Sequence, residues 1–272
     1  MSTFADALTV PFPITAEHQR FYAEEGYIKL KQVLPPAVLA YYAQEISRKV
    51  RELNTMDLPM EKRTTYQKAF LQIMNLWTKS EIVKEFVFAK RLAQIATDVM
   101  KVRGVRLYHD QALYKEAGGG VTPWHADQFY WPFDTNNTVT AWIPLQETPT
   151  ELGPLAFSAK SHRLQKGRDL EISDESEKKL REYLREEDYS YVEEPYELGE
   201  VSFHSGWTYH RAAANTTARP REVMTIIYVD QDARIAKPKN KSQEADLKGW
   251  LVGANPGEIP QDAANPVLFT RA

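Results

Sequence analysis

At Gly104 the chain changes texture, and that change restricts the fold more than any other feature of the sequence. Before it, apolar residues recur at helical spacing. After it, they come in short β-branched or aromatic runs divided by Gly, Pro, Asn and charged residues. Residues 16–25 predict a short helix that Gly26 ends in the left-handed conformation, followed by a short strand over 27–30. Pro36 suits the first turn of a helix over 37–53, and 80–87 and 92–100 predict two more. Strands are predicted over 105–114, 138–145, 155–157, 191–195, 201–204, 210–213 and 223–229. The charged run 174–187 predicts a helical surface insertion, and the tail after Asp232 reads as loop with a short helix near Leu247. Helices first and many short strands later, with no βαβ alternation and no internal repeat, indicate an α+β fold whose mainly β core is a barrel or jelly roll. One domain is expected over 1–272: a helical part at about 16–101, the core at about 104–230 and a tail at 231–272.

The net charge of −3 gives no electrostatic footprint for nucleic acid or an anionic membrane surface. No stretch reaches the 18 or so apolar residues of a membrane span. The opening MSTFADALTVPFPITAEHQ lacks the basic and apolar regions of a secretory signal, so a cytoplasmic location is expected. The sequence has no cysteine, which excludes disulfides, thiolate metal sites and cysteine nucleophiles. A transition metal must then be held by imidazole and carboxylate. Only six histidines are available for that: His18, His109, His125, His162, His204 and His210.

The segment Thr122-Pro123-Trp124-His125-Ala126-Asp127-Gln128 places an imidazole and a carboxylate two residues apart. Alternate side chains of a strand share a face, so His125 and Asp127 point the same way and suit a divalent metal. A third ligand must come from elsewhere, and His210 is the candidate. Two histidines and one carboxylate make the facial triad of non-haem iron(II) oxygenases, which leaves open positions on the metal. Eleven residues after His210 stands Arg221, with the turn-like Asn215-Thr216-Thr217-Ala218-Arg219-Pro220 between them. A hairpin there brings Arg221 onto the neighbouring strand, near the metal, where its planar fork can grip a carboxylate. Thr225 shares that strand face and can donate its hydroxyl to the same carboxylate.

With these residues in place the sequence resembles the phytanoyl-CoA dioxygenase family. The resemblance rests on WHAD, the distal His210 and Arg221, and on flanks from Phe21 to Tyr27, Thr140 to Leu145, Gly153-Pro154-Leu155 and Ser161-His162-Arg163. It covers roughly 16–230 and implies a double-stranded β-helix, the cupin-like jelly roll, with flanking N-terminal helices. It also implies iron(II) on His125, Asp127 and His210, with O2 and 2-oxoglutarate as co-substrates. The far carboxylate of 2-oxoglutarate would lie on Arg221, with Thr225 and Gln111 as further contacts. Arg221 is preferred to Arg219 because Arg221-x-x-x-Thr225 matches the family pattern. The reaction class implied is oxidation of an unactivated C–H bond of a small organic molecule, by hydroxylation, desaturation, epimerisation or cyclisation, as in secondary-metabolite tailoring. Asp127 fills the position that related iron halogenases leave to a small residue, so chlorination is not expected.

Plainer readings compete at each position. His204 is the rival third ligand, or else a hydrogen-bonded histidine beside the site. His109 and His162 read as structural and His18 as a surface helix residue. Lys115 is a weaker co-substrate contact than Gln111, and Trp142 either lines the pocket or packs in the core. The aromatics of Gln128-Phe129-Tyr130-Trp131-Pro132-Phe133 either wall a substrate pocket or plug one end of the barrel. Gly118-Gly119-Gly120 lacks the residues of a phosphate loop and reads as a hinge or lid. The alternative function is a metal-dependent hydrolase or isomerase on the same fold, for which Arg221 has no evident task. A silent binding module is disfavoured by the cost of burying unpaired ligands.

Overall fold

A computed structural model describes residues 4–271. The helical part comprises α1 (Phe4–Thr9), α2 (Ala16–Glu25), α3 (Pro36–Leu53), α4 (Thr65–Ala69), α5 (Glu81–Val87) and α6 (Lys90–Met100), with β1 (Tyr27–Leu30) and β2 (Leu71–Met74) among them. The strand-rich part runs through β3 (Gly104–Lys115), β4 (Thr122–His125), β5 (Thr138–Pro144), β6 (Leu155–Ser158), β7 (Tyr191–Glu193), β8 (Val201–Ser205), β9 (His210–Ala212) and β10 (Arg221–Asp230). The helix α7 (Asp174–Glu186) lies between β6 and β7, and α8 (Lys241–Trp250) and β11 (Val267–Thr270) follow β10.

Local chemistry sets the helix ends. Thr15 and the His18 side chain form a reciprocal cap on α2, and Gly26 closes that helix at φ 80°. A Cβ on Gly26 would meet His162 Nδ1 at 2.3 Å, so the position requires glycine for space as well as for conformation. Pro36 opens α3, Ser80 caps α5 and Ser173 caps α7.

The strands form two antiparallel sheets. The larger runs β1-β8-β5-β10-β3, with β11 and β2 both pairing the far edge of β3, and the smaller runs β4-β9-β6-β7. This is the sandwich of a jelly roll, as expected. One face of the large sheet packs on the helices: Val139, Ala141 and Ile143 of β5 and Met224, Ile226 and Tyr228 of β10 share a core with Tyr42, Ile46, Phe86 and Ile95. Strand alternation sends the intervening Thr140, Trp142, Arg221, Thr225 and Ile227 to the opposite face, into the space between the sheets.

Three expectations are corrected. β9 and β10 do not form a hairpin: they lie in different sheets, so the 215–220 turn carries the chain across the sandwich. Asn215 makes that crossing possible, because its side-chain amide donates to the carbonyls of Lys115, Glu116 and Arg219. In the 118–120 segment Gly120 N bonds Lys68 O and Gly119 O accepts from Asn215 N, and the segment does not line the central cavity. The tail is more ordered in kind than loop plus helix, since β11 pairs with β3. α1, α4 and β2 were also unpredicted, being too short for periodicity to show.

Ile226 is fully buried in the helix-facing core of β10. Ile226→Ala is expected to cost about 3 kcal/mol of stability by cavity formation, read as a lowered urea midpoint with unchanged slope.

Candidate metal centre

β4 and β9 are neighbours in the small sheet and His125 stands directly opposite His210 in their register. Their rings lie 4.1 Å apart between centroids. The backbone stays extended through Ala126 before turning at Asp127, so His125 and Asp127 face the same side. Trp124 and Ala126 alternate to the other side, packing with Leu180 and Leu184 of α7. Asp127 Oδ1 is 3.8 Å from His125 Nε2 and 3.6 Å from His210 Nε2. Candidate ligand atoms of the three residues all lie within 4.8 Å of one another, a group able to hold a metal ion.

The surroundings fix each donor. His125 Nδ1 is 2.8 Å from Pro123 O and His210 Nδ1 is 2.9 Å from Thr208 O, so both rings carry the proton on Nδ1 and turn a lone pair at Nε2 toward Asp127. The other carboxylate oxygen, Asp127 Oδ2, accepts from Thr140 Oγ1 at 2.9 Å and from His204 Nε2 at 3.2 Å. His204 thus sits beside the site as an orienting histidine, outside the group of three. Burial and the nearby His210 hold His125 down to about 4, and burial does the same for His210 against the pull of Asp127. Both are neutral near pH 7, as ligands must be. Burial works against the Asp127 carboxylate, but His210, His204 and His125 together hold it well below the usual carboxylate range.

At the other end of the same cavity, of about 300 Å³, lies Arg221. Its side chain is buried against the Trp142 ring, 5.5 Å from the centroid, and donates to the carbonyl of Gly153. Its Nε has no partner, and among the described residues no carboxylate lies within ion-pair distance. Burial pulls its pKa down only to about 10, so the guanidinium keeps its charge. Arg219 is exposed, away from the cavity lining. Thr225 lines the cavity two turns of the pleat from Arg221 and donates to Gln111 O at 3.2 Å. Gln111 also lines it, its side chain accepting from Gln72 at 2.8 Å. Lys115 lies nearby but is committed elsewhere, bonding Thr122 Oγ1 and the carbonyls of Gly120 and Ala213.

The aromatic run splits between its two readings. Tyr130 and Trp131 line the cavity, while Phe129 and Phe133 do not. Trp142 both lines it and packs on Tyr196, 4.7 Å between centroids. His109, expected to be structural, faces the cavity, and α8 of the tail contributes Asp246 and Trp250 to its wall. No sequence signal marked those three. The charged helix α7 is also more than a solvated insertion: Glu177 Oε2 accepts from Trp124 N at 2.6 Å and so clamps the strand that carries His125.

The sequence pattern described as phytanoyl-CoA dioxygenase (PhyH) matches residues 22–223. The chain belongs to that family. A curated relative from Stutzerimonas stutzeri, a probable alpha-ketoglutarate-dependent hypophosphite dioxygenase, is 21% identical over 234 residues, covering 80% of this chain and 79% of that protein. The fold is that of SnoK, a non-heme alpha-ketoglutarate-dependent carbocyclase from nogalamycin biosynthesis: TM-score 0.77, 22% identity, 95% of this chain and 99% of that one covered. The epimerase SnoN in complex with Fe3+, alpha-ketoglutarate and nogalamycin RO aligns with TM-score 0.72 and 25% identity over 92% of this chain and 97% of its own. This family member is therefore an oxygenase of the 2-oxoglutarate-dependent class. Among the described residues no helix is long and apolar enough to cross a membrane.

Two outcomes follow from this geometry. His204→Ala, which frees Asp127 Oδ2 from one of its two donors, is expected to lower iron(II) affinity about 10- to 100-fold, measured by competition with a chelator. The metal-free protein should lose stability as pH falls from 6.5 toward 4. The unfolded chain protonates its imidazoles near 6.5, whereas burial keeps His109 neutral to about 3 and His125 and His210 to about 4. Asp110 and Asp246, pushed up by burial to about 7 and about 6, take up protons earlier in the folded state and offset part of this, but the three imidazoles outnumber them, so the folded state binds fewer protons and urea midpoints should drop across the window.

Proposed function

We propose that the protein is an iron(II)- and 2-oxoglutarate-dependent oxygenase that oxidises a C–H bond of a small organic molecule, in the tailoring of a secondary metabolite. In this reading His125, Asp127 and His210 hold the iron, and Arg221 with Thr225 receives the distal carboxylate of 2-oxoglutarate. The observation that carries it is Arg221: a buried guanidinium with a free Nε, facing the cavity that contains the three metal-binding side chains. A buried charge without a partner is costly, and a dicarboxylate seated between metal and arginine relieves that cost. The donor set fits iron(II) as well, being two neutral imidazoles and one carboxylate with no thiolate.

When bound, iron with 2-oxoglutarate and O2 supplies the oxidising power for a C–H bond while 2-oxoglutarate becomes succinate and carbon dioxide. The protein's own residues do the positioning. Pro123 O and Thr208 O keep the protons of His125 and His210 on Nδ1, away from the metal side. Thr140 and His204 occupy Asp127 Oδ2, leaving Oδ1 to face both histidines. Trp142 backs the guanidinium of Arg221, and the Thr225 hydroxyl is free to exchange its backbone acceptor for a carboxylate oxygen. Relatives that act in nogalamycin biosynthesis support a secondary-metabolite substrate, and an organic one suits a cavity walled by Tyr130, Trp131 and Trp250. A hydrolase or isomerase on the same fold is not favoured, because it leaves Arg221 unused and departs from the family's chemistry.

Anaerobic addition of iron(II) and then 2-oxoglutarate is expected to produce the weak visible charge-transfer band of the chelate. Iron binding without that band sinks the co-substrate assignment. Asp127→Ala should abolish iron-dependent 2-oxoglutarate turnover. Arg221→Ala should raise the 2-oxoglutarate dissociation constant by about 100-fold with iron binding largely retained, the loss of a charge-assisted bidentate contact. Arg219→Ala should leave both unchanged, and a larger effect from it would overturn the choice of anchor.

A further inference from the structure

Besides Arg221 and Asp127 the cavity has a third charged group, at the wall opposite the Arg221 end. β3 carries a bulge there: Ile227 pairs with His109 and Tyr228 with Leu107, so Tyr108 is an extra residue. A bulge places two successive side chains on one side of the strand. Tyr108 and His109 accordingly both point away from the helix-facing core, whereas Leu107 packs into it and Asp110 bonds the backbone of Leu76 on that side. The Tyr108 hydroxyl donates to Asp246 Oδ2 at 2.7 Å, and the Trp250 side chain hydrogen-bonds the same carboxyl. The His109 ring lies 5.9 Å from that of Trp250. Asp246, His109 and Trp250 all line the cavity.

α8, which carries Asp246, is tied to the segment that begins with Asp127. Gln243 and Asn240 both donate to Phe129 O, at 3.0 and 3.2 Å. Tyr66, on the facing wall, feels the charges of both Asp127 and Asp246, so the two carboxylates border one chamber. Yet no Lys, Arg or His among the described residues lies within ion-pair distance of Asp246. Burial pushes it up to about 6, with Tyr108 and Trp250 working the other way, so at pH 7.5 it is ionised.

The loaded centre does not neutralise it. If iron(II) is held as proposed above, its charge and that of Arg221 cancel those of Asp127 and 2-oxoglutarate, and both ligand histidines are neutral. Among the described residues that line the chamber, Asp246 is then the one charge without a counterpart. The adjoining groups favour a cation too. His109 is kept neutral by burial, its Nδ1 has no partner, and the rings of Tyr66, Trp131 and Trp250 offer π faces. An anionic substrate would meet an unshielded carboxylate in a low-dielectric space.

Resting on that oxygenase reading, we propose that Asp246 determines specificity by pairing with a protonated amine of the organic substrate. It fixes the nitrogen at the α8 wall and so sets which carbon lies toward the metal. The substrate class is a small or medium organic ammonium with an apolar body.

The test is equilibrium dialysis of benzylammonium, benzyl alcohol and benzoate against the protein loaded anaerobically with iron(II) and 2-oxoglutarate, with the visible band recorded in the same samples. Benzylammonium should bind at least about tenfold more tightly than benzyl alcohol, and benzoate should be weakest, as expected when one buried charge is matched, left unmatched or opposed. Asp246→Asn should bring the ammonium and alcohol within about twofold of each other, while Asp246→Glu keeps part of the preference. Equal binding by ammonium and alcohol, tighter binding of the alcohol, binding by none of the three, or an ammonium preference that survives in Asp246→Asn overturns the proposal. If the Asn variant does not fold, the ranking on the unaltered protein decides. A normal band without the ammonium preference removes only the role of Asp246. An ammonium preference without the band keeps that role and removes the metal and co-substrate reading.

Discussion

The carboxylate of Asp127 is where the two sheets meet. Its Oδ1 faces histidines of the small sheet, and its Oδ2 is held by Thr140 and His204 of the large one. The position of His125, Asp127 and His210 relative to Arg221 therefore depends on how the sheets stack, and that depends on the helices behind β5 and β10. Packing of Val139, Ala141, Met224 and Ile226 against α3, α5 and α6 holds the large sheet in place, and its alternate residues become the floor of the cavity.

Electrostatics divide the cavity into zones. One end holds a guanidinium with no carboxylate beside it, the middle holds neutral imidazoles around a carboxylate, and the other end holds a carboxylate without a cation. Each zone is buried enough that charge is expensive, so each unpaired group marks a chemical complement that the chain does not itself supply. The complement proposed for the guanidinium is the distal carboxylate of 2-oxoglutarate, a co-substrate of the family's chemistry. The complement proposed at Asp246 rests on the geometry of α8 and β3 together with that reading.

Much of this was legible in the sequence for simple reasons. The helices and strands that carry the core have clear periods, and His125, Asp127, His210 and Arg221 stand out because cysteine is absent and histidine scarce. What could not be read is what depends on topology. The Asn215–Pro220 turn looks like a hairpin because local residues cannot show that its flanking strands join different sheets. α7 looks like a solvated helix because its charges outnumber Leu180 and Leu184, though these and Glu177 are what brace β4. Asp246 and Trp250 lie in a polar tail with no motif, and only tertiary packing brings them to the chamber.

The bulge at Tyr108 has an effect well beyond its own neighbourhood. Along β3 the residues facing the helices are odd-numbered before it, Val105 and Leu107, and even-numbered after it, Asp110, Ala112 and Tyr114. The extra residue is a half-period phase slip that reconciles two incompatible alternations in one strand. Paired in regular register with Tyr108 still in the strand, β3 would turn Gln111 and Lys115 toward the apolar helices and Ala112 and Tyr114 toward the Arg221 end, several residues from the bulge itself. Deleting Tyr108 would by contrast leave every other β3 side chain on its present face, since Leu107 and His109 already pair with consecutive residues of β10, and the loss would fall on the hydroxyl that Asp246 accepts from.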